Sequence, residues 1–254
     1  MGIVDAFRLD GKVVVVTGAS SGLGAAFAAG LAEAGADVVI SGRRAERLAE
    51  TAEVVAAAGR RCVVVQADVT SVDDCERVVQ EGLGALGRID VLVNNAGVGS
   101  ARPALRETPD EFRQVIDVNL LGSYWMAQAC ARVMGPGSAI VNVGSALGLT
   151  TAGLPQAAYC SSKAAVIGLT RDLAAQWTGR KGIRVNALAP GFFPSEMTDE
   201  YPDGYLDDQA ARRIPAGRIG EPDELVRAAL FLASDAASYI TGAVVPVDGG
   251  LLTS

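Results

Sequence analysis

The stretch Thr17-Gly18-Ala19-Ser20-Ser21-Gly22-Leu23-Gly24 follows the apolar run Val13–Thr17 and leads into an alanine-rich segment. A strand, a glycine-rich turn and a helix in this order can cradle a phosphate, because glycine permits a sharp turn and the helix N-terminus offers free N–H groups. The G-x-x-x-G-x-G spacing is one residue longer than the common dinucleotide fingerprint, and the alternative is a tight turn that binds nothing. The predicted cradle consists of Gly18, Ser20, Ser21, Gly22, Leu23 and Gly24.

Short β-branched runs alternate with longer segments of helical period along the whole chain. The predicted strands are Val13–Thr17, Val38–Ser41, Val63–Gln66, Val91–Asn94, Ala139–Val143, Arg184–Leu188 and Ala243–Val247. Segments such as Ala45–Ala58 and Asp223–Ala233 are predicted helices. Near-continuous apolar strands alternating with helices are typical of a parallel sheet covered on both faces. We therefore predict an α/β fold, a doubly wound seven-stranded sheet in a single domain over residues 1–254, with a lid at approximately 190–215.

The composition of the chain limits the kinds of partner that the protein is expected to bind. The chain has 254 residues, half of them hydrophobic, and its 29 acidic against 22 basic residues give a net charge of -7. Such a charge repels nucleic-acid backbones and anionic lipid, so we expect neither nucleic acid nor membrane as a partner. Because no signal-peptide core or membrane-spanning run is found, we expect a cytoplasmic protein with a small-molecule substrate.

Histidine is absent, which excludes a Ser-His-Asp triad and most zinc-hydrolase sites. The four cysteines lack metal-ligand spacing, so we predict free thiols and no metal site. Proton chemistry must therefore come from Tyr, Lys, Asp, Glu or Cys.

Further motifs follow the glycine-rich turn in a fixed order. They are Asp68-Val69, Asn94-Asn95-Ala96-Gly97, Asn119, Ser145, Tyr159-Cys160-Ser161-Ser162-Lys163 and Pro190-Gly191. This collinear series resembles the short-chain dehydrogenase/reductase family over nearly the whole chain. The resemblance implies a Rossmann-type fold of seven strands, a nicotinamide cofactor, a Ser-Tyr-Lys site with a supporting Asn, and a homotetramer.

Tyr159 and Lys163 are four residues apart in a helical segment, so their side chains emerge on one face. A tyrosine is a poor base at neutral pH, but a nearby ammonium favours the phenolate and brings the pKa toward the working range. We predict that Tyr159 handles the proton and that Lys163 tunes it; the alternative is coincidental spacing of two surface residues. The resemblance adds that Lys163 binds the nicotinamide ribose.

Ser145 and Asn119 complete the predicted catalytic set. Ser145 follows the fifth predicted strand, at the sheet edge where ligands bind in doubly wound folds, and should hydrogen-bond the substrate oxygen. Its alternative role is to satisfy its own turn. Asn119 is a polar residue in an apolar helical stretch, and the resemblance implies that it holds a water linking the lysine to solvent. The alternative is a satisfied core amide.

The remaining cofactor contacts come from the resemblance. The implied adenosine contacts are Asp68, Val69, Asn95, Ala96 and Gly97, although Asp68 could instead be a helix N-cap. The implied nicotinamide contacts are Pro190, Gly191, Phe193 and Ser195, the last standing where threonine is usual.

Charge at the end of the second strand predicts which nicotinamide is used. NAD-dependent enzymes place an acid there for the adenosine 2′-hydroxyl, whereas this chain has Gly42 followed by Arg43 and Arg44. A guanidinium suits a 2′-phosphate, so we favour NADP(H) over NAD(H), with Arg43 as the predicted contact. The alternative is a solvated arginine pair.

The predicted function is NADP(H)-dependent interconversion of a ketone and a secondary alcohol on a small molecule. The alternatives are a 3-oxoacyl-[acyl-carrier-protein] reductase, an NAD-dependent polyol or sugar-acid dehydrogenase, and a homologue that binds cofactor without turnover. The predicted lid is acidic, which disfavours docking of an acidic carrier protein, unless these side chains face solvent away from the pocket. Its acids are Glu196, Asp199, Glu200, Asp203, Asp207 and Asp208.

Small residues after Tyr159 support the predicted oligomer. Ala164, Ala165 and Gly168 would permit close approach of another helix, and the chain ends in an apolar stretch from Val244 to Leu252. Ordinary core packing is the alternative for both features.

Overall fold

A computed structural model describes residues 2–99, 101–199 and 201–253. Its centre is a seven-stranded sheet in the order β3-β2-β1-β4-β5-β6-β7, and every neighbouring pair is parallel. The strands are β1 Val13–Thr17, β2 Asp37–Gly42, β3 Cys62–Gln66, β4 Val91–Asn94, β5 Ala139–Val143, β6 Arg184–Pro190 and β7 Val244–Val247. The predicted fold class is confirmed. The strand order reverses between β1 and β4, where doubly wound folds open a crevice at the carboxyl ends of the strands.

Nine α-helices connect and cover the strands in the described part of the chain. They are α1 Gly22–Glu33, α2 Ala45–Ala57, α3 Val72–Leu86, α4 Pro109–Ile116, α5 Gly122–Val133, α6 Ala157–Lys181, α7 Glu196–Asp199, α8 Tyr205–Arg212 and α9 Pro222–Ala233. A π-helical turn, Asp117–Leu121, joins α4 to α5. None of the helices over the described ranges combines the length and the apolar character needed to span a bilayer.

Both faces of the sheet are packed, which explains the unbroken apolar runs. Val14 and Val16 of β1 belong to the core under α1 and α9, with Phe27 and Leu225. Val13 and Val15 point the other way and belong to the core under α3, α5 and α6. Since successive strand residues face opposite sides, a strand covered twice must be apolar throughout.

Most predicted boundaries agree with the structure to within one or two residues. β1, β4 and β5 have their predicted bounds, whereas β6 continues to Pro190 and β7 starts at Val244. The segment around Asn119, predicted to be helical, is a π-helical turn, a local widening that recurs at functional sites.

Buried amides link β4 and β5 to α6. Asn94 Nδ2 donates to Asn142 Oδ1 (2.9 Å), and Asn142 Nδ2 donates to Thr170 Oγ1 (2.9 Å). Asn142 and Thr170 have no exposed surface and Asn94 has almost none. The chain of hydrogen bonds therefore crosses two strands and the helix behind them inside the core.

Candidate active site

A cavity of about 870 Å³ opens at the carboxyl edge of the sheet and gathers the predicted residues. Its wall includes three of the predicted catalytic residues, namely Ser145, Tyr159 and Lys163. It also includes all the predicted cofactor contacts, which are Gly18, Ser20, Ser21, Gly22, Leu23, Gly24, Arg43, Asp68, Val69, Asn95, Ala96, Gly97, Tyr159, Lys163, Pro190, Gly191, Phe193 and Ser195. Asn119 does not line the cavity. Residues more than 170 positions apart in the chain thus meet at one edge of the sheet.

The glycine-rich turn is shaped by close backbone contacts. Gly18 has φ +66°, and a Cβ there would lie 2.8 Å from Ala96 Cα; a Cβ on Gly24 would lie 2.1 Å from the Gly18 carbonyl oxygen. Ser21 precedes α1 without capping it through its side chain. The N–H groups of the first helical turn thus lie at the cavity uncapped by that hydroxyl, and this donor set fits a dinucleotide pyrophosphate.

Thr17, which the sequence analysis did not assign, holds the two halves of the cradle together. Its Oγ1 accepts hydrogen bonds from the N–H groups of Asn95 and Ala96, both at 3.0 Å. Asn95 Nδ2 returns a hydrogen bond to the Thr17 carbonyl oxygen at 3.0 Å. The sequence gives only a weak indication of this role, namely that each of two apolar strands ends in a polar residue.

Asp68 forms a turn of its own and is not the N-cap of α3. Its Oδ1 accepts from the N–H (2.9 Å) and the hydroxyl (2.8 Å) of Thr70. The N-cap is Ser71, whose hydroxyl accepts from Asp74 N. The alternative that the sequence left open for Asp68 is therefore wrong, and its carboxylate stands at the cavity wall.

Tyr159 lies in the first turn of α6 and Lys163 lies one turn further along. Lys163 Nζ is 5.7 Å from the centroid of the Tyr159 ring and donates to the Val143 carbonyl oxygen at 2.8 Å. Ser145 follows β5, and its Oγ accepts from the Leu147 N–H at 3.1 Å. All three side chains are buried, so polar contacts among them act in a medium of low dielectric.

The electrostatics of this set differ from the sequence-based expectation. Burial raises the pKa of Tyr159 above its ordinary value, and a hydrogen bond with Ser145 is the opposing influence. Burial also lowers the pKa of Lys163 to about 8. The sequence analysis expected the Lys163 ammonium to lower the pKa of Tyr159. In the structure, burial has the larger effect on that pKa, and the phenol is held in its neutral form.

Asn119 is fully buried behind the cavity, in the π-helical turn. Its Oδ1 accepts from Val98 N (2.8 Å), and its Nδ2 donates to the Val98 carbonyl (2.9 Å) and to Ser162 Oγ (3.0 Å). Ser162 Oγ in turn donates to the Tyr159 carbonyl at 2.7 Å. These contacts match the alternative that the sequence left open for Asn119, a buried amide whose hydrogen bonds are satisfied. They also connect Asn119 to the turn that carries Tyr159.

Arg44, the neighbour of the predicted 2′-phosphate contact Arg43, contacts the phosphate turn. Arg44 Nη2 donates to Ser21 Oγ (2.7 Å) and Ser20 Oγ (3.1 Å), and Nη1 pairs with Glu196 Oε1 at 3.0 Å. Arg43 lines the cavity, and among the described residues its side chain has no recorded partner. Both cations stand at the end of β2, beside Gly42.

The cavity lining also contains polar side chains that the sequence analysis missed. Gln156, buried three residues before Tyr159, donates through Nε2 to the Tyr201 hydroxyl at 3.3 Å. Arg102 and Glu111 form an ion pair at 3.3 Å on the same wall. These residues are far apart along the chain, so no local sequence pattern indicated that they belong to the site. The one exception is Gln156, which lies next to the tyrosine motif.

The lid begins with α7 and α8, and its acids are distributed unevenly. Of the predicted acids, Glu196 lines the cavity, Asp208 pairs with Arg212 at 2.6 Å, and Glu200 lies outside the described residues. The remaining three, Asp199, Asp203 and Asp207, are absent from the described wall. Among the described lid acids, Glu196 is therefore the one that lines the cavity, and the solvated alternative describes Asp199, Asp203, Asp207 and Asp208.

Comparison with known proteins places this site in a family. A family profile described as Enoyl-(Acyl carrier protein) reductase matches residues 18–252. Galactitol 2-dehydrogenase (L-tagatose-forming) of Cereibacter sphaeroides is 44% identical over 252 residues, which cover 96% of each chain.

Solved structures agree over the full length. A gluconate 5-dehydrogenase from Burkholderia cenocepacia J2315 in complex with NADP and tartrate is 38% identical with a TM-score of 0.91, covering 100% of both chains. A short-chain type dehydrogenase/reductase from Mycobacterium marinum is 35% identical with a TM-score of 0.94, also over 100% of both chains. The chain therefore belongs to the short-chain dehydrogenase/reductase family and is an NAD(P)-dependent oxidoreductase that interconverts an alcohol and a carbonyl group.

Proposed function

We propose that the protein is an NADP(H)-preferring enzyme that interconverts a ketone and a secondary alcohol on a small, free, polyhydroxylated substrate. The observation that carries this proposal is the cavity itself, because its lining combines Tyr159 and Ser145 with the glycine cradle and a pair of arginines. The cavity thus offers hydrogen-bonding side chains for the substrate carbonyl, and cations and N–H groups for the phosphates of the cofactor.

Tyr159 is the proton donor in the direction of reduction. A bound nicotinamide would supply hydride to the carbonyl carbon, while the phenol gives its proton to the carbonyl oxygen. The raised pKa of Tyr159 supports this direction, because the phenol stays protonated at neutral pH. Ser145 donates to the same oxygen and orients it. Alcohol oxidation requires the Tyr159 phenolate to accept the proton of the alcohol and is therefore favoured at higher pH.

Lys163 and Asn119 position this pair. Lys163 is held by the Val143 carbonyl and lines the cavity next to the tyrosine ring, where it can reach a ribose hydroxyl. Asn119 fixes the loop at Val98 and, through Ser162, the first turn of α6. We assign Asn119 a positioning role, since its amide is occupied by these contacts.

The preference for NADP(H) rests on charge at the end of β2. Gly42 provides no carboxylate for a 2′-hydroxyl, whereas Arg43 and Arg44 flank the position that a 2′-phosphate would take. Comparing the parent with Arg43→Ala and Arg44→Ala tests this. NADPH should bind more tightly than NADH, and each substitution should remove about ten- to a hundredfold of that advantage without weakening NADH. Equal Michaelis constants for the two cofactors in the parent would refute the preference.

The substrate class is supported by polar side chains in the cavity lining. Gln156, Tyr201 and the Arg102–Glu111 pair offer donors and acceptors for hydroxyl groups. Relatives named for galactitol and gluconate point the same way. A screen of polyols, ketoses and sugar acids with both cofactors, read by absorbance of the reduced nicotinamide, should find the highest kcat/KM among these compounds.

The second candidate function is reduction of an acyl group on a carrier protein, which the description of the family profile favours. Against it, the lid contributes an acid, Glu196, to the cavity lining, and a like charge disfavours docking of an acidic carrier. Measuring a carrier-bound β-ketoacyl substrate against its short thioester and against free hydroxylated ketones decides between the two. A tenfold advantage for the carrier-bound form would make the second candidate correct.

A further inference from the structure

The first turn of the lid reaches the phosphate turn across the cavity. A Cβ on Gly22 would lie 3.8 Å from Ser195 Cβ, and a Cβ on Gly99 would lie 2.9 Å from Met197 Sδ. Between these two contacts stands Glu196, whose carboxylate pairs with Arg44 at 3.0 Å. The start of α7 therefore lies within van der Waals distance of both sides of the cofactor half of the cavity.

Within the described part of the chain, the hydrogen bonds of the Arg44 guanidinium lie at this junction. Two of its nitrogens donate to hydroxyl groups of the phosphate turn, Ser20 and Ser21, and the third donates to Glu196. A guanidinium binds carboxylate and phosphate oxygens by the same forked geometry. The Glu196 carboxylate thus occupies on Arg44 a position that suits a phosphate oxygen.

The charge of Glu196 is stabilised by this contact. The hydrogen bond from Arg44 is the main cause that holds the pKa of Glu196 below its ordinary value, so the side chain is an anion at neutral pH. An anion held there repels a second anion on the same guanidinium.

We propose that Glu196 is a specificity-determining residue for the cofactor, because its carboxylate competes with the adenosine 2′-phosphate for Arg44. A dinucleotide with a 2′-phosphate must displace Glu196 from the guanidinium, whereas one with a 2′-hydroxyl leaves the pair intact. Glu196 therefore reduces the ratio of affinities for NADPH over NADH that Arg43 and Arg44 create. This inference deepens the proposed function by identifying a residue on the lid that sets cofactor selectivity.

The test uses two probes that differ only in the group at issue, adenosine 2′,5′-bisphosphate and adenosine 5′-monophosphate, titrated calorimetrically into the full-length protein. Glu196→Gln keeps the size of the side chain and removes its charge. It should tighten binding of the bisphosphate about fivefold, the range of an exposed ion pair, and change binding of the monophosphate by less than twofold. Asp199→Asn, which removes an exposed acid of the same helix that is absent from the described cavity wall, should change neither.

A double-mutant cycle attributes the effect to the pair. In an Arg44→Ala background, Glu196→Gln should no longer alter the ratio of the two affinities. An unchanged ratio in Glu196→Gln itself, an equal shift for both probes, or a shift that survives Arg44→Ala would each overturn the proposal. Its failure is distinguishable from failure of the proposed cofactor preference, since the preference is measured on the parent protein alone and the competition on the change between variants.

Discussion

Lys163 Nζ donates a 2.8 Å hydrogen bond to the carbonyl oxygen of Val143, the last residue of β5. This contact anchors the start of α6 to the sheet edge at which Ser145 emerges. It also keeps an ammonium group in the core with no described carboxylate among its hydrogen-bond partners, and burial there lowers the pKa of Lys163 to about 8. A buried charge of this kind makes the stability of the protein depend on pH.

Replacing Lys163 by Met should reveal that dependence. Below about pH 8 the folded protein bears the buried charge at full cost, and the cost is relieved as pH rises from about 8 toward the lysine's ordinary pKa of 10.5. We therefore compare the free energy of unfolding of the parent with that of Lys163→Met. Between about pH 7 and pH 10, the value for the parent should rise by about 2 to 3 kcal/mol relative to the value for the variant. Urea denaturation at a series of pH values measures this difference. Parallel profiles for the two proteins would contradict it.

A second lysine of α6 provides the control for that experiment. Lys181 also donates to a main-chain carbonyl, that of Ala131, but from an exposed position. Lys181→Met therefore separates the loss of a lysine-to-carbonyl hydrogen bond from the removal of a buried charge.

Tyr159→Phe should abolish nearly all turnover. The ring still packs in the cavity wall, but no proton can be passed, which costs on the order of 10²–10⁴ in rate. Cofactor affinity should stay within a few-fold of the parent, as measured by the fluorescence of bound NADPH. Tyr239→Phe, on a fully exposed tyrosine, is the matched control. Retention of a tenth of the parent's activity by Tyr159→Phe would show that another group handles the proton.

Gly42→Asp should move the cofactor preference toward NAD(H). A Cβ at this position would lie 3.5 Å from Ser20 Oγ and 3.6 Å from Leu48 Cδ2, both ordinary contact distances, so the side chain fits. The new carboxylate can accept from a 2′-hydroxyl and repels a 2′-phosphate, and the ratio of kcat/KM for NADPH to NADH should fall by at least about tenfold. Gly42→Asn controls for size without charge. If the Asn and Asp variants shift the ratio equally, charge is not the cause.

Local patterns in the sequence were enough for the fold, for the phosphate cradle and for the Tyr159 and Lys163 pair, whereas the other cofactor contacts came from the family resemblance. The apolar run at Val13–Thr17 and the glycines after it are contiguous, so one short stretch predicts strand, turn and helix together. The Tyr159 and Lys163 pair follows in the same way from helical spacing. These features depend on backbone geometry that neighbouring residues determine.

What could not be predicted depends on contacts between distant parts of the chain. Arg44 and Glu196 are 152 residues apart, and Thr17 and Asn95 are 78 apart, so a single sequence gives no sign that they meet. The direction of the Tyr159 pKa shift was also misjudged, because the balance between burial and a nearby ammonium is set by packing. The contacts of Arg44 with Ser20, Ser21 and Glu196 could not be predicted for the same reason.

Assembly into a homotetramer is expected to involve the outer face of α6. Ala164 and Gly168 are exposed there, and a groove of about 310 Å³ between α5 and α6 is lined by Leu169 and Trp177. Mass photometry should give four times the protomer mass of 26.0 kDa. A monomeric parent protein would refute the expectation.

Gly168→Arg should weaken that assembly without unfolding the protomer, since a Cβ at Gly168 meets nothing within 4 Å. The bulky cation would keep a facing helix from approaching closely. Gly84→Arg, at a similarly open position on α3, is the control and should leave the measured mass unchanged. A tetramer that tolerates Gly168→Arg would exclude this face of α6 from the interface.

The amide pair Asn94 and Asn142 has a consequence for how the strands find their alignment. Strands that are apolar on both faces could slide past one another by one or two residues and still bury valine against valine, so their hydrophobic pattern cannot choose among alignments. In the native pairing Asn94 stands directly opposite Asn142, and their amides meet. A slipped pairing would break this hydrogen bond and leave the Asn142 Oδ1 acceptor without its Asn94 donor in the core, at a cost of about 1–3 kcal/mol. The Asn94–Asn142 hydrogen bond thus disfavours slipped alignments of β4 and β5 that the apolar side chains alone would tolerate.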